Sequence, residues 1–199
     1  MAAPIQSSVK RFTYQQRAAQ ADEEIVLLSQ VARKDLRAFE VLYRNYYGRL
    51  TRFLQRITRQ TYLVEEILDD TMLAVWLKAP TYNASSRVST WIFSIAHNKA
   101  MNAIKRAGRP DEPLSDAEMP VTERGPETES IERESLVQLE GFLALLPPEQ
   151  RAVVELTYFY GHSYQEIAEI VDCPVGTVKT RMFYARRTLG KMRAPRREG

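Results

Sequence analysis

The stretch Ser163-Tyr164-Gln165-Glu166-Ile167-Ala168-Glu169-Ile170-Val171, then Asp172-Cys173-Pro174, then Val175 to Lys191, decides how this chain is read. Ser163 and Glu166 have capping-box spacing: the serine side chain can accept from the N3 amide while the glutamate reaches back. Ala168 is small enough to let a second helix cross closely. A three-residue break containing Pro174 follows. Val175, Val178, Met182, Ala185 and Leu189 then repeat at helical spacing and form a seam for burial. Two short helices around a tight turn make a helix-turn-helix pattern.

At about 100° per residue, the face opposite that seam carries Gly176, Thr180, Phe183, Tyr184 and Arg187, with Lys179, Arg181 and Arg186 on its flanks. Hydroxyls and cations are the groups that reach base edges and phosphates in a major groove. Gly176 near the helix start would let backbone approach a sugar-phosphate strand, and the helix dipole would favour a phosphate there. A helical hairpin with a merely solvated basic face is the alternative. Together with the charge block below, the pattern points to DNA.

Working outward, the formal charge of +3 over 199 residues hides a strong segregation. Residues 1–20, 21–106, 107–135, 136–172 and 173–199 carry +3, +4, −6, −5 and +7. A basic end beside an acidic middle attracts a polyanion at one place and repels it at another. Residues 107–130 hold Gly108, Pro110, Pro113, Pro120, Gly125 and Pro126 among many acids, a composition that buries little and reads as an acidic linker. Residues 1–20 read as a flexible polar N-terminal tail.

The linker separates 21–106 from 131–195. In 21–60, Ile25, Leu28, Val31, Leu36, Phe39, Leu42, Tyr43, Tyr46, Leu50, Phe53, Leu54 and Ile57 recur at spacings of three and four. Val64, Ile67, Leu68, Thr71 and Val75 predict a helix over 62–78, ended by Pro80. Trp91, Ile92, Ile95 and Ala96 face inward on a helix over 89–106. Further helices are expected over 131–145, 148–158 (opening at Pro147-Pro148), 163–171 and 175–192. No alternating strand pattern persists. The fold class is all-α, with two small helical domains.

Composition excludes several functions. A single cysteine excludes an intramolecular disulfide framework and a thiolate-rich zinc site. Two histidines leave little for a metal, so His97, His162 and Cys173 read as packing residues, and no metal or cofactor is expected. No phosphate loop, nucleophile elbow or metal spacing indicates an enzyme, and no catalytic residue or small-molecule substrate is assigned. No apolar run approaches the roughly 20 residues of a membrane span, and the polar N-terminus lacks a signal-peptide core. A cytoplasmic protein without direct membrane insertion is expected.

At this point a resemblance becomes clear. Leu146-Pro147-Pro148-Glu149-Gln150-Arg151, Gly161-His162-Ser163-Tyr164-Gln165-Glu166-Ile167-Ala168, Gly176-Thr177-Val178-Lys179-Thr180-Arg181 and Ala185-Arg186-Arg187 resemble region 4 of bacterial RNA polymerase sigma factors, closely the extracytoplasmic-function (ECF, group IV) type of the sigma-70 family. Phe39-Glu40-Val41-Leu42-Tyr43 with Tyr46-Tyr47 is similar to region 2.1. Val64-Glu65-Glu66-Ile67-Leu68-Asp69-Asp70-Thr71 with Val75-Trp76 is similar to region 2.2, and Ser89 to Asn98 to regions 2.3 and 2.4. The ordered set covers about 170 residues and leaves no room for a region 3 domain. Tyr184 stands where many relatives carry a basic residue, which puts one phosphate contact in question.

The resemblance implies a promoter-specificity subunit with no chemistry of its own. It implies binding to core RNA polymerase through the β′ clamp and β flap, to the −10 element through region 2 and to the −35 element through region 4, in a stress or envelope-signal response under an anti-sigma factor. It assigns Gly176, Thr177, Lys179, Thr180, Arg181, Phe183, Tyr184, Arg186 and Arg187 to the −35 element. Tyr82, Asn83, Ser85, Ser86 and Arg87, with Asn98, Lys99, Asn102, Lys105 and Arg106, fall to the −10 element. Tyr82 could stack on a flipped base or anchor the core, and Trp91 reads as core. Glu65, Glu66, Asp69, Asp70 and Trp76 fall to core polymerase. The acids are like-charged i, i+4 pairs, which destabilise an isolated helix by a few tenths of a kcal/mol. A basic partner surface would compensate, and solvation is the plain alternative. The competing reading is a stand-alone helix-turn-helix transcriptional regulator, which leaves the 62–78 acids and the 82–106 segment unexplained.

Overall fold

The computed structural model describes residues 14–107 and 141–193, with side chains over 21–107 and 141–191. The described residues are helical, without a strand: α1 (Tyr14–Ala32), α2 (Leu36–Thr58), α3 (Thr61–Lys78), a 3-10 turn (Ala79–Thr81), α4 (Val88–Ala107), α5 (Pro148–Tyr158), α6 (Tyr164–Ile170) and α7 (Val175–Arg193). Helix α1 begins inside the stretch expected as an N-terminal tail. Most of the expected linker, and residues 131–140 of the helix expected over 131–145, lie outside the described residues. Residues 141–144 are helical.

Helices α1 to α4 form one bundle, and local chemistry sets its corners. Lys34 takes a left-handed φ of 67° between α1 and α2. Asp35 then caps α2, its carboxylate accepting from the amides of Arg37 (2.8 Å) and Ala38 (3.2 Å). On α2, Ala38, Leu42, Tyr46, Leu50, Phe53, Leu54 and Ile57 are buried, the spacing of a single core-facing stripe. On α3 the expected Val64, Ile67, Leu68, Thr71 and Val75 are buried. Burying even one such side chain is worth about 1.5–3 kcal/mol, so these stripes, more than helix propensity, hold the bundle.

Helices α5 to α7 form the second unit. Pro148 opens α5 at the first helical position, where its missing N–H costs nothing. Gly161 has φ 67°, a left-handed turn that glycine adopts without a Cβ clash. The capping box is present: the Ser163 hydroxyl accepts from the Glu166 amide, and the Glu166 carboxylate accepts from the Ser163 amide at 2.8 Å. Val178, Met182 and Ala185 of the expected seam are buried, and Val175 and Leu189 are half-buried against the core.

The two units pack on each other, α6 against α4 and α5 against α2. Sequence periodicity did not anticipate this. Arg151 of α5 uses all five N–H donors of its guanidinium: Nε to the Leu143 carbonyl (2.9 Å), Nη2 to Ala144 (3.0 Å) and Leu146 (2.7 Å), Nη1 to Arg56 (2.8 Å) and Ile57 (3.3 Å). The last two are carbonyls in the final turn of α2, which lack intrahelical partners. Arg56 pairs with the fully buried Glu155 at 3.0 Å. Phe53, Phe93 and Tyr160 pack ring to ring across the junction at centroid distances of 5.0, 5.8 and 4.8 Å. The buried residues of both units therefore make one continuous core.

Candidate nucleic-acid and polymerase interfaces

Helix α7 presents the expected face outward. Gly176, Lys179, Thr180, Phe183, Tyr184, Arg186 and Arg187 are exposed, and Thr177 and Arg181 are half-buried. A Cβ at Gly176 would meet nothing within 4 Å, so packing inside the chain does not require glycine there. The Thr180 hydroxyl donates back to the Gly176 carbonyl at 3.0 Å. Phe183 and Tyr184 meet edge to face at 5.5 Å, leaving an aromatic pair in solvent. Two of the cations are already engaged. Arg181 donates to the Cys173 sulfur at 3.7 Å, and Arg186 donates to the Tyr158 hydroxyl at 2.7 and 3.2 Å. Lys179 and Arg187 stand exposed on the same helix.

The loop after the 3-10 turn is held from within. The Tyr82 hydroxyl donates to the Ser86 carbonyl across the loop, and the Tyr82 ring lies 5.4 Å from Trp91. Of the two roles open to Tyr82, this geometry supplies the anchor. The Asn83 side chain accepts from the Ser85 amide at 3.1 Å, and Ala84 takes a left-handed φ of 56° at the tip. Asn83 and Ser85 are exposed, and Ser86 is half-buried. Arg87 pairs with Glu166 of α6 at 3.4 Å. Burial pushes the Glu166 carboxyl up, but hydrogen bonds from Ser163, with His162 and Arg87 nearby, together hold it below its ordinary value. Along α4, Asn98, Asn102, Lys105 and Arg106 are exposed, while half-buried Lys99 pairs with Asp70 of α3 at 2.9 Å.

On α3, Glu65, Glu66, Asp69 and Asp70 form an exposed acidic stripe. Asp69 accepts from the Tyr43 hydroxyl of α2 at 3.2 Å, so part of the like-charge cost is offset inside the chain. Trp76 is half-buried, edge to face with Phe39 at 5.1 Å, and the Lys34 ammonium lies 4.8 Å above its ring.

His97 and His162 are buried at 5% and 7% exposure, as packing residues should be. Burial lowers His97 to about 4, so it is neutral near pH 7. His162 stacks edge to face on Phe93 at 5.5 Å. Among the described residues no cluster of His, Cys, Asp and Glu could hold a metal ion, and no helix is long and apolar enough to cross a membrane. The functional geometry that motif reading missed is the junction of Arg56, Arg151, Glu155 and Tyr160. Its one sequence signal was a lone base, Arg151, in the otherwise acidic stretch 136–172.

A four-helix unit with an acidic helix, joined to a helix-turn-helix with a basic outer face, defines a two-part transcription-initiation protein of the sigma-70 class. Family models agree: Sigma-70 region 2 matches residues 42–110 and Sigma-70, region 4 matches residues 136–189. The RNA polymerase sigma-H factor of Pseudomonas aeruginosa is 26% identical over 184 residues, covering 87% of this chain and 95% of that protein. The ECF RNA polymerase sigma factor SigM of Mycobacterium tuberculosis is 30% identical over 159 residues, covering 79% and 78%. The chain belongs to the ECF RNA polymerase sigma factors. The solved sigma factor RpoE, in complex with the anti-sigma factor NepR from Bartonella quintana, shares the fold, with a TM-score of 0.64 at 22% identity over 81% of this chain and all of that one.

Proposed function

We propose that this chain is the promoter-specificity subunit of an RNA polymerase and directs initiation at promoters with −35 and −10 elements. The observation that carries this reading is the pairing, in one chain and in order, of an acidic α3 with an exposed basic α7. The α3 stripe of Glu65, Glu66, Asp69 and Asp70 meets a basic surface of core polymerase. There its like-charge repulsion turns into attraction across the interface. Trp76, set by Phe39, shapes the floor of that contact.

Helix α7 enters the major groove at the −35 element, with Gly176 and Thr177 at the phosphate strand and Thr180, Phe183 and Arg187 toward base edges. Lys179 and Arg181 hold phosphates, as does Arg186 once it leaves Tyr158, and Tyr184 supplies ring contact in place of a charge. The 82–87 loop and α4 take the melted −10 strand: Asn83, Ser85 and Ser86 bond base edges on a frame stiffened by Tyr82. Arg87, Asn98, Lys99, Asn102, Lys105 and Arg106 follow the backbone. The chain has no chemistry of its own and works in the cytoplasm. An anti-sigma factor holds it inactive, a reading supported by the solved complex of the sigma factor RpoE, of the same fold, with the anti-sigma factor NepR.

Reconstitution tests this. The chain should co-elute with core polymerase on gel filtration and start transcripts from a cognate promoter. Reversing Glu65 and Asp69 to Lys should weaken core binding by about tenfold or more while leaving duplex binding by α7 intact. A chain that binds duplex tightly but never binds core would overturn the proposal in favour of a stand-alone regulator.

A further inference from the structure

We infer that α2 carries a second phosphate-binding face, a ladder of Arg49, Arg52, Arg56 and Arg59, whose Arg56 end the second helical unit covers in the closed chain. The spacing of three and four residues puts Arg49, Arg52 and Arg56 on one side of the helix, about 5 Å per step, and Arg59 follows as its C-cap. Arg49 lies 3.6 Å from Glu24 and over the rings of Tyr46 and Phe93. Arg52 is exposed and donates to the Gly48 carbonyl one turn back. Arg56 is held by Glu155, with Phe159 4.2 Å beneath it. Arg59 donates to the Ala144 carbonyl at 3.0 Å. A fifth guanidinium, Arg151, is driven in among them. Burial, and then the charge of Arg59, lower it to about 10.

Stability alone does not account for so many arginines. A buried ion pair stabilises little beyond what apolar residues of the same volume would supply. The ladder acquires a purpose when the units part. Glu155 leaves with α5, and Arg56 and Arg59 lose their contacts to the second unit beside the already exposed Arg52. Planar guanidiniums fork onto phosphate oxygens, and Arg suits that geometry better than Lys. The ladder's occupant is the sugar-phosphate backbone of duplex DNA. It reads charge and not sequence, so it goes beyond promoter recognition. Because the open chain exposes more of it, Arg56 above all, phosphate binding draws the chain from closed to open.

The test needs no polymerase, so its outcome is independent of the polymerase-binding proposal. A 30-base-pair duplex without promoter elements is titrated into the full chain and into Glu155→Arg and Glu155→Leu, at several salt concentrations. Small-angle scattering on the same samples reads the separation of the units. Both variants should expand, bind the duplex more tightly, and give a log K against log salt slope steeper by about 1 to 2. Changing Arg56 and Arg59 together to Gln in the expanded background should return the slope to that of the parent. An expanded chain with an unchanged slope, or a steeper slope that survives the Gln changes, overturns the inference. So does a failure of both variants to expand, since the cover would then not be held by this pair. Equal binding of poly-glutamate with the same arginine dependence would also overturn it, assigning the ladder to an acidic polypeptide.

Discussion

Replacing Arg151 with Lys keeps the charge and most of the volume but removes the fork. The guanidinium places five N–H groups on five carbonyls, at 2.7 to 3.3 Å. An ammonium offers at most three donors from one point, so at least two carbonyls lose their partner. Each buried unsatisfied carbonyl costs about 1–3 kcal/mol, and the charge that lysine keeps near the C-terminus of α2 does not replace the missing bonds. Water reaching the edge of the junction recovers part of this, leaving a loss of about 3 kcal/mol. For a chain of this size that lowers Tm by roughly 6 to 12 °C. Urea unfolding followed by circular dichroism at 222 nm measures it. Arg59→Lys is the control, because Arg59 makes a single bond to the Ala144 carbonyl, and it should lose under about 1 kcal/mol. A loss below about 1 kcal/mol for Arg151→Lys would refute the claim that donor geometry, and not charge alone, ties α5 to α2.

Three further outcomes are expected. Ser163→Ala removes the cap of α6 and should destabilise the chain by about 1 kcal/mol, read by the same urea titration; no change would mean the capping box adds nothing. His97 is lowered by burial from 6.5 to about 4, so the unfolded chain takes up its proton first. Its contribution is complete above about pH 6.5 and is lost as pH falls toward 4, about 3 kcal/mol in all. His97→Leu should therefore flatten the fall in stability between pH 7 and 5, and an unaltered slope would count against this. Arg187→Ala should weaken binding to a −35 duplex and reduce the salt slope by about 1; an unchanged salt dependence would take Arg187 off the DNA.

The fold was legible because its helices announce themselves locally. The seam of Val178, Met182 and Ala185, the stripe of Val64 to Val75 and the Ser163–Glu166 box depend on residues a turn or two apart, and each is where its spacing places it. The outward faces of α3 and α7 were legible as the complements of those seams. Pairings between residues far apart in the chain were not. Arg56 meets Glu155 and Arg151 meets Ile57 across nearly a hundred residues, and no periodicity encodes a partner at that separation. Tyr160 read as an ordinary aromatic near a turn, yet its hydroxyl donates to the Arg49 carbonyl at 2.9 Å. The start of α1 was missed for another reason. Residues 14–20 are polar, with no large apolar residue after Tyr14 to mark a buried face.

The shared core has a thermodynamic consequence. While Phe53, Phe93 and Tyr160 interlock and Arg151 spans both units, neither half can melt without exposing the other's apolar surface. Closed, the chain should unfold in one cooperative transition, with the recognition helix borrowing protection from a bundle it never touches in sequence. Opened, that loan is withdrawn. The helices of the second unit are then on their own stability, and amides of α6 and α7 should exchange hydrogen faster than those of α2. The most DNA-competent form of the chain is thus its least protected one, unless polymerase or nucleic acid replaces the surface that the two halves give each other.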